Sequence, residues 1–127
     1  NTMYVGKKGE GAYMIKDGKK SEIKINEKAT NRIAVKSKSH SSEAEDKVLA
    51  NYDVTDTISV GSSLKFCMIA EGKADIYYRH GPTMEWDTAA GQAVVEGAGG
   101  KVLDEENTPF AYNKKNLLNG SFLCLGF

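Results

Sequence analysis

Three stretches of the 127-residue chain bring together groups that bind anions or metal ions. Gly61-Ser62-Ser63 leads into an apolar run that starts at Leu64, with Lys65 immediately inside it. At the junction of a strand and a helix, Gly61 lets the backbone turn tightly, and free N–H groups and two hydroxyls face outward. Lys65 then opposes the positive end of the helix dipole, a cost of roughly 0.3–1 kcal/mol that an anion between the two would offset. A capping serine beside a solvated lysine gives the same spacing. The second stretch, Glu85-Trp86-Asp87-Thr88-Ala89-Ala90-Gly91, places Asp87 at the N-cap or in the first turn of a helix whose small residues admit another backbone. A carboxylate there is a ligand for a hard divalent cation such as Mg²⁺, and equally a plain helix cap. The third, Lys36-Ser37-Lys38-Ser39-His40-Ser41-Ser42, mixes hydroxyls, cations and an imidazole. These groups suit phosphate and a nucleobase, or simply form a polar loop ahead of a helix. Arg79 and His80 close a further strand and are expected to point the same way.

Positioning these residues requires an alternation of strands and helices. Residues 33–37, 57–60, 74–79, 101–104 and 121–125 read as strands. Between them, Ser42-Glu43-Ala44-Glu45 has capping-box spacing, ahead of a helix with Ala44, Val48, Leu49 and Tyr52 on one face. A second helix carries Leu64, Cys67, Met68 and Ile69 and stops at Gly72, and a third runs over 87–97. Strands joined by helices of about ten residues predict parallel crossovers, hence an α/β sheet with helices on its faces and ligands at the carboxyl ends of the strands. Residues 4–26 read differently, as short strands with 12–15 and 23–25 flanking a turn at Asp17-Gly18-Lys19-Lys20. An isolated hairpin is marginal in water, so these strands are expected to be the edge of a larger sheet, and the chain a piece of a longer one.

Composition narrows the partners. Lys plus Arg and Asp plus Glu both number 17, leaving no basic surplus for sequence-independent nucleic-acid binding. The charge is uneven, with 7 Lys against 4 acidic residues over 1–31. No apolar run approaches the ~18 residues of a membrane helix, and no leader-like segment opens the chain. Cys67 and Cys124 lack His or Cys neighbours at metal spacing and read as buried free thiols in a reducing compartment, so a cytoplasmic location is expected, with at most peripheral contact at an inner membrane. The triplet Asn119-Gly120-Ser121 reads as a turn.

The run Trp86-Asp87-Thr88-Ala89-Ala90-Gly91-Gln92-Ala93-Val94-Val95-Glu96-Gly97-Ala98-Gly99-Gly100 resembles the second signature of the inositol monophosphatase superfamily, the Mg²⁺-dependent, lithium-sensitive phosphatases. Within it, Ser37-Lys38-Ser39-His40, Gly61-Ser62-Ser63-Leu64-Lys65-Phe66-Cys67 and Tyr78-Arg79-His80-Gly81-Pro82-Thr83 are most similar to the CysQ-type 3′(2′),5′-bisphosphate nucleotidases. The resemblance implies that Asp87 binds metal and that His40, Ser62, Lys65 and Arg79 contact a bisphosphorylated nucleoside. Where an inositol-specific member tends to offer a carboxylate, this chain offers Arg79 and His80, a better match to a second phosphate. The family's first signature, Asp-Pro-x-Asp-Gly-Thr, is absent, as are its paired glutamates and its water-positioning threonine.

The resemblance therefore implies the C-terminal α/β domain of such an enzyme over 32–127, with about five strands, preceded over 1–31 by remnant strands of an N-terminal α+β domain. The implied reaction is Mg²⁺-dependent hydrolysis of the 3′-phosphate of 3′-phosphoadenosine 5′-phosphate, a small-molecule substrate. The chain itself, with no catalytic residue of its own, is expected to be inactive without the missing domain. An inositol-1-phosphate phosphatase is the neighbouring enzyme alternative, and a non-catalytic nucleotide- or anion-binding module the alternative of another class.

Overall fold

The structure is a computed structural model that describes residues 1–37, 42–61 and 63–127. Strands β1 (Thr2–Lys7), β2 (Gly11–Lys16) and β3 (Lys19–Ile23) form an antiparallel sheet in chain order. The β2–β3 turn is tighter than the four residues expected. Asp17 and Gly18 both take positive φ, 50° and 79°, and form a two-residue turn whose twist matches the flanking strands. Ile25 lies beyond β3.

The second sheet contains β4 (Arg32–Lys36), β5 (Val54–Ser59), β6 (Ile76–Arg79), β8 (Lys101–Leu103) and β10 (Phe122–Leu125), in the order β5-β4-β6-β10-β8. As the helix crossovers predict, β4 pairs in parallel with both β5 and β6. The expectation of a parallel sheet fails at β10, which runs antiparallel to β6 and β8. The cause is its connection. No helix follows β8; residues 104–121 return along the molecule through β9 (Leu118–Asn119), which pairs with β7 (Thr83–Met84), and so β10 enters from the opposite end.

Helix α1 (Glu43–Leu49) packs on one face of this sheet, where Leu49 meets Ala34, Ile76, Leu123 and Leu125. Helices α2 (Leu64–Ala70) and α3 (Glu85–Gly97) cover the other, where Phe66, Ile69, Val94 and Val95 meet Val35, Tyr77, Val102 and Phe122. Strand β10 therefore alternates Phe122 and Cys124 to one face with Leu123 and Leu125 to the other, all buried. The expected caps are present: the Ser42 hydroxyl accepts from the Glu45 N–H at 3.3 Å, and Gly72 takes φ 78° just beyond α2.

The first sheet packs against α3 and shares its core, to which Ala12 and Ile23 belong. Two glycines allow this approach. A Cβ on Gly6 would stand 2.6 Å from the Val94 Cα, and one on Gly97 would stand 2.5 Å from the Gly11 carbonyl oxygen. No helix among the described residues is long and apolar enough to cross a membrane.

Candidate active-site cleft

The carboxyl ends of β4 and β6 and the N-terminal turns of α2 and α3 surround a cleft of about 550 Å³. Phe66, Tyr77 and Phe122 form its apolar side. Phe66 stacks on Phe122 with centroids 5.5 Å apart, and Tyr77 meets both rings edge-on. The approach allowed by Gly91 turns out to be that of a side chain rather than a backbone: a Cβ there would lie 2.5 Å from the Phe66 ring.

Lys65, Arg79 and Asp87 all line this cleft. They come from α2, β6 and α3, so the sequence-predicted cations and carboxylate converge. Lys65 is neither solvated nor simply placed over a helix end. Only 3% of it is exposed, its Nζ donates to the Val60 carbonyl at 3.2 Å, and it sits 5.3 Å from the centre of the Tyr77 ring. Burial lowers its pKa, as does the neighbouring Arg79 guanidinium, while Glu45 works in the opposite sense. Ser63 makes no side-chain cap on α2, which leaves its hydroxyl at the cleft. Arg79 carries a buried Nε with no hydrogen-bond partner among the described residues. A guanidinium N–H held out of water with no acceptor is costly unless a ligand supplies one.

Asp87 is the third residue of α3, which starts two residues earlier than expected, and its Oδ2 accepts from the Met84 N–H at 2.8 Å. The capping role of Asp87 is thus realised, yet the residue remains exposed and its second oxygen makes no hydrogen bond among the described residues. One carboxylate oxygen open to a cleft is a hard donor that fits Mg²⁺ as a single ligand. The described residues contain no group of three or more metal-ligating side chains, so Asp87 would be one ligand among others supplied from elsewhere.

His80 departs from expectation. Successive strand residues face opposite ways, so Arg79 enters the cleft while His80 turns to the α1 side. There its Nδ1 lies 3.1 Å from the Tyr78 hydroxyl and 3.5 Å from Ser121 Oγ. His40 and Ser62 lie outside the described residues, together with Lys38, Ser39 and Ser41. Both cysteines are free thiols; burial pushes Cys67 up to about 11 and Cys124 higher still, so neither is a reactive thiolate near neutral pH.

Sequence reasoning missed two contributors. Glu45, 4% exposed, sits in the field of Lys36 and Arg79, and burial raises its pKa. Its capping-box position was visible, but not its charge environment. The other is the pair Thr83 and Thr88, which line the cleft and are joined to Asn119 by a network that rests on pairing between strands distant in sequence. Asn119 is 2% exposed and pairs with Thr83 in the β7–β9 ladder, so it does more than mark a turn.

Comparison with known proteins agrees with this architecture. Residues 1–123 match the inositol monophosphatase family. The chain is 39% identical over its whole length to 3′(2′),5′-bisphosphate nucleotidase CysQ of Escherichia coli K12, of which it covers 49%. Over 112 residues, 88% of this chain and 41% of the relative, it is 47% identical to CysQ of Buchnera aphidicola. The crystal structure of CysQ from Bacteroides thetaiotaomicron superposes with a TM-score of 0.77 at 36% identity, over 92% of this chain and 51% of that one. The chain thus spans about half the length of the nucleotidases it matches. With the family match running through both sheets and the cleft, the chain belongs to the inositol monophosphatase family.

Proposed function

We propose that this chain is the C-terminal part of a 3′(2′),5′-bisphosphate nucleotidase that removes the 3′-phosphate of 3′-phosphoadenosine 5′-phosphate, leaving AMP and phosphate. The carrying observation is the pair of cations at the cleft: half-buried Arg79, whose buried Nε has no partner among the described residues, and buried Lys65, whose Nζ has only a carbonyl as acceptor among them. A doubly phosphorylated ligand supplies oxygens to both, in charge-assisted hydrogen bonds stronger than neutral ones. Relatives that bear the nucleotidase name, at 39% and 47% identity, support the same assignment.

In this scheme Asp87 would hold Mg²⁺, which when bound supplies an activated water and neutralises charge developing on the transferred phosphate. Arg79 and Lys65 bind and orient the nucleotide's phosphates, the aromatic side of the cleft excludes water, and His40 and Ser62 contact the nucleoside. Residues 1–31 would be the closing strands of an N-terminal domain and 32–127 the C-terminal domain. The other metal ligands would come from the part of the relatives that this chain does not cover. The free thiols fit an enzyme of the cytoplasm.

Two measurements test this. The full-length enzyme should turn over 3′-phosphoadenosine 5′-phosphate much faster than inositol 1-phosphate; the reverse preference would give the cleft to a sugar phosphate. The isolated 127-residue chain should release no phosphate from either substrate with Mg²⁺ present, because one carboxylate cannot hold the cation array of a metal-assisted displacement. Asp87-dependent release by the isolated chain would contradict the division of ligands.

A further inference from the structure

The carboxylate of Asp87 touches little: apart from the Met84 N–H, its direction is fixed by the backbone of the first turn of α3. That turn is tied down by one buried amide. The Asn119 Nδ2 donates to Thr83 Oγ1 and to Thr88 Oγ1, both at 3.1 Å, and its Oδ1 accepts from Lys114 Nζ at 3.2 Å. An ammonium can only donate, so the amide must present its oxygen to Lys114 and its nitrogen to the threonines. Thr83 lies four residues before Asp87 and Thr88 directly after it, so a single side chain bridges the two ends of the segment that carries the carboxylate. The network is closed on its far side. Lys114 pairs with Glu85, and Thr88 Oγ1 lies 3.0 Å from the Tyr112 hydroxyl, whose own proton goes to Gln92 Oε1. Both amide N–H groups and the carbonyl of Asn119 have partners, and Thr88 is only 1% exposed. A network centred on a fully satisfied, buried amide rigidifies what it holds.

We propose that Asn119 is a positioning residue for the metal-binding carboxylate of Asp87, acting through Thr83 and Thr88. The inference rests on the assignment of Asp87 as a metal ligand. Loss of groups that orient a ligand typically weakens metal binding about 10- to 100-fold.

The test is Mg²⁺ binding by calorimetry on the full-length enzyme without substrate, with 3′-phosphoadenosine 5′-phosphate binding in the absence of metal and thermal midpoints measured alongside. Asn119→Leu should weaken the Mg²⁺ site that depends on Asp87 by about 10-fold or more, with metal-free nucleotide affinity little changed. Thr83→Val, which cuts a single tie, should shift Mg²⁺ affinity in the same direction by less. A lower melting temperature with unaltered Mg²⁺ affinity in Asn119→Leu would overturn the inference and leave a purely structural role. If Asn119→Leu does not fold, Thr83→Val decides, and unaltered Mg²⁺ affinity there overturns it. Asp87→Asn separates the two layers: if it leaves Mg²⁺ binding intact, the ligand assignment falls and the inference with it. If it abolishes the site while Asn119→Leu and Thr83→Val leave it untouched, only the inference falls.

Discussion

Lys65 is a cation that the fold takes out of water and, among the described residues, gives only the Val60 carbonyl as a hydrogen-bond acceptor. Burial lowers its pKa in the folded state, so below that value folding is penalised for the proton it carries. The penalty lifts as pH rises through the folded value. Such an arrangement makes sense where a ligand brings the missing negative charge. Lys65→Met keeps the aliphatic stem and removes the charge, so the ligand-free protein should gain about 1 kcal/mol of stability. The same variant should bind the bisphosphorylated nucleotide more weakly. Chemical denaturation and nucleotide titration of the full-length enzyme measure both, and a loss of stability would show that Lys65 serves the fold. Asp87 differs in that its carboxylate caps through Oδ2 while its other oxygen makes no hydrogen bond among the described residues, so the cap leaves room for the proposed metal role.

At the scale of elements, the cleft exists because α2 and α3 lie close together over the five-stranded sheet, while α3 is backed on another side by the first sheet. Gly91 admits the Phe66 ring, and Gly97 meets the backbone of Lys7 and Gly11. Gly97→Ala would push a methyl group into a carbonyl that cannot swing aside, and should destabilise the protein by about 1–3 kcal/mol, readable as a lower denaturation midpoint. An unchanged midpoint would mean that the first sheet is free to slide on α3. The elements most legible in the sequence were those with local signals. Ser42 before Glu45, Gly72 after an apolar helix, and Asp17-Gly18 between alternating strands each act through neighbours a few residues away. The antiparallel entry of β10 had no such signal, because it depends on the path of residues 104–121 and on the β7–β9 pairing. Asn119 was hidden for the same reason: its threonine partners stand 31 and 36 residues away. For His80, strand alternation alone placed it opposite Arg79.

For the whole molecule, the proposed function has the cleft take two phosphates, with Arg79 and Lys65 facing the one that is not being transferred. The family match runs through both sheets, and the convergence of these cations with Asp87 joins three elements into one site. The measurement that tests this most directly is catalytic efficiency of the full-length enzyme and its Arg79→Ala variant, each with 3′-phosphoadenosine 5′-phosphate and with inositol 1-phosphate. Loss of a charge-assisted hydrogen bond of about 1.5–3 kcal/mol should lower kcat/KM for the nucleotide roughly 10- to 150-fold. The monophosphate has no second phosphate to lose, and its turnover should fall far less. Equal losses for the two substrates would contradict the account, since Arg79 would then serve the reacting phosphate or the fold.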